Sequence, residues 1–453
     1  MRAVCRAITV AMGIATAGSV CGAETGDSEG IDARRHLYQP LHGIEANGRI
    51  PKITLPGDLP NPERWRYIPE GRIKPGSMAQ RFMVTSFVYP TFDYAEDVGA
   101  GGGIAVTDID FWEQRRREFA AIFLSHTTEG QERYSLLWQR WLHDRDLPGG
   151  GVAQEERSFV SASTSYVRTL TTRFYGFGPD SRSGDETSYT DEATIAFVSL
   201  NDSVPRAGDN VVVLAGLRGE HHNLSKGHVR NRPSTDAIYP SMFSDGDGHD
   251  SLWITTGLSY DTRDSITNPY GGWLAQTVAE TVPAETHGDG GGRYTVRGEW
   301  VTRLPGLFFH DDDRSEENPP TDTLAIGAFT QWVSGDLPFW ALPSLGGPNT
   351  LRGYIAHRFT GRAAWHASAE YRFWPWPRGF AITDSIRLER IGLAPFYELG
   401  TVANDLGVLA HARVHDSFGL GLRIGLERTA IFRADLGFSR EGHAFTIAYG
   451  LSF

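Results

Sequence analysis

Beyond residue 21 the 453-residue sequence contains no cysteine; its two cysteines are Cys5 and Cys21. Disulfide staples and thiolate chemistry are therefore excluded from the rest of the chain. Nor does any stretch offer about eighteen consecutive apolar residues, so no transmembrane helix is expected. Positive charge is also short. The 43 Lys and Arg residues stand against 55 Asp and Glu, a net charge of −12 that argues against a nucleic-acid partner. Catalytic signatures are missing as well. There is no G-x-S-x-G elbow, and the glycine run Gly99–Gly103 lacks the lysine of a phosphate loop, so it reads as a hairpin turn or strand glycines. Fifteen histidines do not assemble a metal set. His221 and His222 are neighbours on a strand end and point to opposite faces. "DGDGHD" (Asp245–Asp250) has His249 at its third acidic position and no closing glutamate, so it is a solvated acidic loop rather than a calcium site. No enzyme activity, cofactor or metal is expected.

What is present begins with an address. Arg2 and Arg6 flank the start of an apolar run from Ala7 to Ala17, and Cys21-Gly22-Ala23 supplies the small residues of a cleavage site. Residues 1–23 read as a cleavable secretory signal, too short to span a bilayer. A lipoprotein site at Cys21 is disfavoured by Gly18 and Val20. Residues 24–79 are polar and rich in proline (Pro40, Pro51, Pro56, Pro60, Pro62, Pro69, Pro75). With little apolar surface to offset ordering entropy, this stretch is expected to be extended or poorly ordered and to form no independent domain.

From residue 80 to 453 the pattern has period two. In the last segment His443, Phe445, Ile447, Tyr449, Leu451 and Phe453 share one face, opposite Ala444, Thr446, Ala448, Gly450 and Ser452. Phe418, Leu420, Leu422 and Ile424 oppose Ser417, Gly419, Gly421, Arg423 and Gly425; Phe432, Ala434, Leu436 and Phe438 oppose Arg433, Asp435, Gly437 and Ser439. A soluble sandwich would bury the large face, whereas a membrane barrel turns it to lipid. The export signal, the absent cysteines and an amphipathic last strand ending on Phe453 favour the barrel. That terminal aromatic resembles an outer-membrane insertion signal. The runs number sixteen: near 81–91, 99–108, 115–126, 131–142, 156–175, 187–200, 208–222, 250–261, 271–283, 291–304, 321–334, 362–374, 388–400, 414–426, 428–439 and 443–453. The expected fold is all-β, a sixteen-stranded antiparallel transmembrane β-barrel over residues 80–453. Both barrel ends then lie on the periplasmic side, and the loops near 220–250 and 335–361 are extracellular.

Two stretches, "GLSYDTRDSITNPYGGW" (Gly257–Trp273) and "LGGPNTLRGYIAHRF" (Leu345–Phe359), resemble those of the BamA/TamA-like outer-membrane barrel family, the bacterial surface antigens. "RFYGFGP" (Arg173–Pro179), "PFYELGTV" (Pro395–Val402) and the closing "FTIAYGLSF" follow in the matching order. The resemblance implies that the loop after the eleventh strand folds back into the lumen, where its arginine, here Arg352, pairs with acidic residues on the following strands. Parity agrees. Tyr371 and Phe373 face lipid, so Glu370 faces the lumen; Ile391, Leu393, Tyr397 and Leu399 face lipid, so Glu398 does too. Arg352 has no carboxylate within four residues in sequence, so Glu398, which stands where the family usually has aspartate, and Glu370 are its expected partners. Gly353 is expected to let the loop backbone approach the wall, and Tyr354 completes the motif. The DTRD turn (Asp261, Arg263, Asp264, Pro269, Gly271) is expected to be structural, Asp261 and Asp264 accepting backbone donors around Pro269 and Gly271.

One departure concerns function. Family members that insert or secrete proteins usually carry periplasmic POTRA domains, and residues 24–79 are too short and proline-rich for one. The resemblance implies membrane insertion or translocation of protein or another substrate. A passive porin-like channel and a surface-exposed structural or binding protein are the alternatives. The implied location is the outer membrane of a Gram-negative bacterium. The implied partners are outer-membrane lipid, the outer-membrane assembly machinery during insertion, and a periplasmic protein that would supply the role of the missing domains.

Overall fold

The computed structural model describes residues 52–68, 86–108, 118–308, 315–316, 319, 321–381, 387–426 and 430–452. The expected signal segment 1–23 and the terminal Phe453 lie outside the described residues. Sixteen antiparallel strands close into one barrel. They are β1 (Ser86–Ala95), β2 (Gly99–Asp108), β3 (Glu118–Thr127), β4 (Glu132–Trp141), β5 (Phe159–Phe174), β6 (Thr187–Val204), β7 (Val211–Lys226) and β8 (His249–Asp261). The second half comprises β9 (Gly272–Glu285), β10 (Gly291–Leu304), β11 (Asp322–Gly335), β12 (Ala363–Trp376), β13 (Arg387–Ala403), β14 (His415–Leu426), β15 (Ala430–Ser439) and β16 (Gly442–Tyr449).

The alternation resolves as lipid-out and polar-in. Phe92, Ile104, Leu136, Val198, Leu217, Leu258, Val296, Phe418 and Leu420 are exposed on the outer surface, while Ser417, Arg423, Arg433, Asp435, Glu370 and Glu398 are buried inside. A water-soluble sandwich would invert that arrangement, because exposing so many large apolar side chains to water is unfavourable. Tyr260 stacks on Trp273 at 4.8 Å near the end that carries the chain termini, an aromatic pair at the level of a membrane interface. This end is periplasmic in barrels of this architecture, so the long loop 336–362 is extracellular.

The wall is uneven. β1 and β2 share ten register pairs, from Ser86↔Asp108 to Ala95↔Gly99. Among the described residues β1 and β16, which close the cylinder, share one, Tyr94↔Ile447. Tyr94 and Phe445 add an aromatic contact at 5.6 Å across this seam.

Strand ends differ from the sequence reading where pairing outruns hydrophobicity. β7 continues to Lys226 through "EHHNLSK", whose polar side chains carry no apolar alternation but whose backbone still pairs with β6 and β8. The larger difference lies before the barrel. The described part of the proline-rich stretch is not a loose tail. Trp65–Ile68 forms a strand paired with Val152–Glu155, which also pairs with Asp144–Asp146 in a separate three-stranded sheet. Leu59, Trp65 and Ala153 make a small core with Leu55, Leu147 and Ala207 packed on it. Three apolar side chains spaced among prolines, Leu55, Leu59 and Trp65, suffice, because Leu147, Ala153 and Ala207 of the periplasmic loops complete their cluster.

Candidate functional site

The loop from β11 to β12 turns inward and carries Arg352 into the barrel. Gly346 and Gly347 have φ of 109° and 101°, a region that favours glycine and turns the chain sharply. Leu351 has φ 45° yet is wholly buried, in a cluster with Leu345, Tyr354, Phe359, Ala364 and Val402. This apolar packing holds the left-handed residue at the tip. Gly353 lies flat on the wall. A Cβ there would collide with the carbonyl oxygen of Phe438, and one on Gly437 would strike the carbonyl of Arg352. Gly353→Ala should therefore expel the loop from its seat while the strands still pair, measurable as protease cleavage within 346–358 in an intact, heat-modifiable barrel.

Arg352 is 1 % exposed. Its backbone N–H donates to Glu398 Oε2 at 2.6 Å and its Nε to Glu398 Oε1 at 2.9 Å. Nη1 reaches Glu370 Oε2 at 2.9 Å and Asp435 Oδ2 at 3.3 Å. The guanidinium lies over the ring of Phe396, 3.5 Å from its centroid. These partners come from β12, β13 and β15, so one side chain ties together a quarter of the wall.

The carboxylates have further partners of unequal strength. Glu370 also accepts from Arg372 Nε and Arg423 Nη2, each at 2.8 Å. Asp435 accepts from Arg423 Nη1 at 2.6 Å and Arg433 Nη1 at 2.8 Å. Glu398 keeps, apart from Arg352, the Ser417 hydroxyl at 2.8 Å and His366 at 3.7 Å. Arg433 also grips the loop, donating to Pro348 O at 2.7 Å and Asn349 Oδ1 at 2.5 Å. Ser452 Oγ lies 3.4 Å from Glu370 Oε2, which brings the end of the described chain to the same cluster.

Sequence reasoning paired Arg352 with Glu398 and Glu370 but missed Asp435, Arg372, Arg423 and Arg433. The signal existed: charged residues on the small face of an amphipathic strand need lumenal partners. It also missed Arg358, which fixes the loop at the extracellular side through Glu441 at 2.7 Å and Ser181 O at 2.8 Å. "RFYGFGP" meets the same loop, Gly178 N–H donating to Thr360 O at 2.8 Å. Tyr354 points away from the ion pairs, packs on Phe359 at 5.2 Å, and its carbonyl accepts from Gly347 N–H at 3.0 Å.

The DTRD turn lies at the other end of the barrel. Asp264 Oδ1 accepts from Tyr270 N–H at 2.8 Å and Gly271 N–H at 3.3 Å, spanning buried Pro269. Asp261 does not reach that span. It folds over its own turn, accepting Arg263 N–H and Nε at 3.0 Å each, and Arg157 Nε at 3.1 Å. An aspartate two residues ahead of an N–H closes such a local ring readily. Arg263 also reaches Glu299 at 2.6 Å. Asp264→Ala leaves two backbone donors without this acceptor, so barrel yield or thermal stability should fall by about 1–3 kcal/mol-equivalent, read from the temperature of the heat-modifiable transition. Conductance of the folded fraction should not change.

A cavity of about 730 Å³ separates the two ends, lined by Asn349, Thr350 and His366 towards the loop and by Arg157, Asp261, Arg263 and Glu299 towards the turn. Among the described residues no group of three or more His, Cys, Asp or Glu is placed to hold a metal ion. His221 pairs with Asp250 at 2.8 Å and His222 with Asp191 at 3.0 Å.

Fold and site together define an outer-membrane β-barrel whose lumen is occupied by its own loop. Residues 158–453 match the family model described as the Omp85 superfamily domain, and the chain belongs to that superfamily. Strands β1–β4 precede the matched region. No curated protein sequence matches the chain. Among solved structures it is similar to CdiB from Escherichia coli, with 12% identity and a TM-score of 0.53 over 85% of this chain and 67% of that one. BamA from Haemophilus ducreyi lacking POTRA domains 1–3 gives 16% identity and a TM-score of 0.49 over 81% and 70%. CdiB from Acinetobacter baumannii gives 12% and 0.49 over 81% and 59%. The Omp85 barrel fold implies a location in a Gram-negative outer membrane.

Proposed function

We propose that this barrel inserts or translocates a substrate, protein or another molecule, at the outer membrane, with the Arg352 loop as its lumenal closure and the β1–β16 seam as the part of the wall that opens. The observation that carries this reading is the fully buried guanidinium shared among carboxylates of three strands. An unselective diffusion pore gains nothing from a loop held across its lumen, whereas a barrel that opens on demand needs a closure that is both specific and breakable. The single register pair at the seam supplies a second such element. A periplasmic partner would deliver the substrate, and no cofactor or catalytic residue takes part.

The test uses the purified protein in liposomes, with an unfolded eight-stranded outer-membrane barrel added as client. Folding of the client, followed by its heat-modifiable gel shift, should be faster than in empty liposomes. No acceleration, together with ion conductance in the wild-type protein, would instead favour the passive channel. Neither activity would favour a structural or binding role.

A further inference from the structure

We propose that residues 52–68 form a releasable periplasmic strap that closes the lumen in series with the Arg352 loop; this rests on reading the lumen as a passage. The strap touches several parts of the periplasmic rim. Lys52 N–H donates to Ser315 O, in the β10–β11 connection, at 2.7 Å. Asn61 Nδ2 donates to Gly208 O in the β6–β7 turn at 2.9 Å. Trp65–Ile68 then pairs with Val152–Glu155 of the β4–β5 connection. That connection projects inward: its Arg157 bonds Asp261 and the carbonyl of Arg263, and all three line the periplasmic end of the cavity. Glu155, wholly buried, braces it by accepting Ser158 N–H at 2.6 Å and Arg157 N–H at 3.0 Å. The strap thus backs a floor of paired charges opposite the Arg352 cluster.

Its anchor is poised for release. Arg64 is 1 % exposed, yet its Nη1 meets only uncharged acceptors: Gly208 O at 3.1 Å, Asp209 O at 2.6 Å and Asn210 Oδ1 at 2.8 Å. Nε and Nη2 have no protein acceptor, and among the described residues no carboxylate pairs with this guanidinium. Burial, then the charge of neighbouring Arg157, pushes the Arg64 group down to about 10. Asp261, Glu155 and Glu63 oppose that push only from a distance, and a buried cation with no carboxylate in contact is a weak clamp. The contrast with Arg352 is direct, for that guanidinium has three carboxylates. The strap's own ion pairs, Asp58 with Arg145 at 2.6 Å and Arg66 with Glu156 at 3.8 Å, are open to solvent, where such pairs hold weakly, so none of its charged contacts locks it against an incoming substrate.

Resistances in series add, so freeing one closure leaves conductance limited by the other. In planar bilayers, Arg64→Ala and Arg352→Ala should each raise single-channel conductance modestly, and the double variant by several-fold more than the two effects summed. A second arm avoids any folding defect of Arg64→Ala. Arg66 and Gln154 face each other in the ladder, and cross-strand positions suit a disulfide. Arg66→Cys/Gln154→Cys in the Arg352→Ala background should conduct poorly when oxidised and recover with dithiothreitol. Conductance insensitive to that disulfide, and to Arg64→Ala in the same background, would reduce the strap to a structural brace. If strap variants raise conductance but Arg352→Ala changes nothing with the strap released, the loop reading fails and the strap stands.

Discussion

Arg352→Ala should release the loop without dismantling the barrel, giving modestly larger and noisier single-channel conductance while the strap stays in place, and a several-fold larger one with greater antibiotic uptake by intact cells once Arg64→Ala frees the strap too. The asymmetry follows from who else holds each carboxylate. Without Arg352, Glu370 retains Arg372 and Arg423, and Asp435 retains Arg423 and Arg433. Glu398 is left with a hydroxyl and a histidine. Removing one partner of a buried pair costs about 3–5 kcal/mol, which shifts the docked-to-free ratio of the loop by about two to three and a half orders of magnitude. The wall itself keeps its ladder and its remaining ion pairs, so heat-modifiable barrel should still accumulate. Exchanging charges, Arg352→Glu with Glu398→Arg, should rescue little. The new glutamate would face Glu370 and Asp435, so one reversed pair cannot restore a three-carboxylate seat. Wild-type conductance in Arg352→Ala, with the strap also released, would show that the loop is not a closure.

The second large effect belongs to the seam. With Tyr94 and Ile447 as the sole register pair between β1 and β16 among the described residues, parting the wall there disrupts far fewer backbone contacts than between β1 and β2. Each ladder hydrogen bond contributes about 0.5–1.5 kcal/mol net, so the difference amounts to several kcal/mol. Tyr94→Cys/Ile447→Cys places two thiols at directly opposed positions, within the reach of a disulfide. Oxidised protein should lose client-folding activity in liposomes and regain it with dithiothreitol, while an Arg352→Ala lumen in the same barrel continues to conduct. Full activity in the cross-linked state would mean that the wall does not need to part.

The strands were legible because a membrane barrel writes itself in period two, and parity alone sends Glu370 and Glu398 inward beside Arg352. Parity also sends Arg423, Arg433 and Asp435 inward, but it does not say which lumenal charges meet. That depends on strand tilt and register, and Asp435 reaches Arg352 from a strand 83 residues on in sequence. The Arg352–Glu398 pairing came from family resemblance as much as from the residues. Nothing comparable marks the strap. Arg64 binds backbone carbonyls and an asparagine, acceptors that almost any turn could offer, and the strand that follows it has four residues. Prolines nearby suppress the periodic signal, so a docked element looks like a tail. Asp261 shows the same limit in miniature: the motif located the turn, but the closer donor at Arg263 took the carboxylate.

On the proposed reading Arg352 holds the loop across the lumen and screens the cavity beneath it from outside. Thr350 lines that cavity and stands two residues from the arginine. A cysteine at Thr350, challenged on intact cells with a membrane-impermeant maleimide, reports directly on the screen. With Arg352 present, labelling should be slow; with Arg352→Ala in the same chain, it should be faster by an order of magnitude or more. Rapid labelling at equal rates in both would contradict the account, leaving Arg352 as a residue that braces the wall and closes nothing.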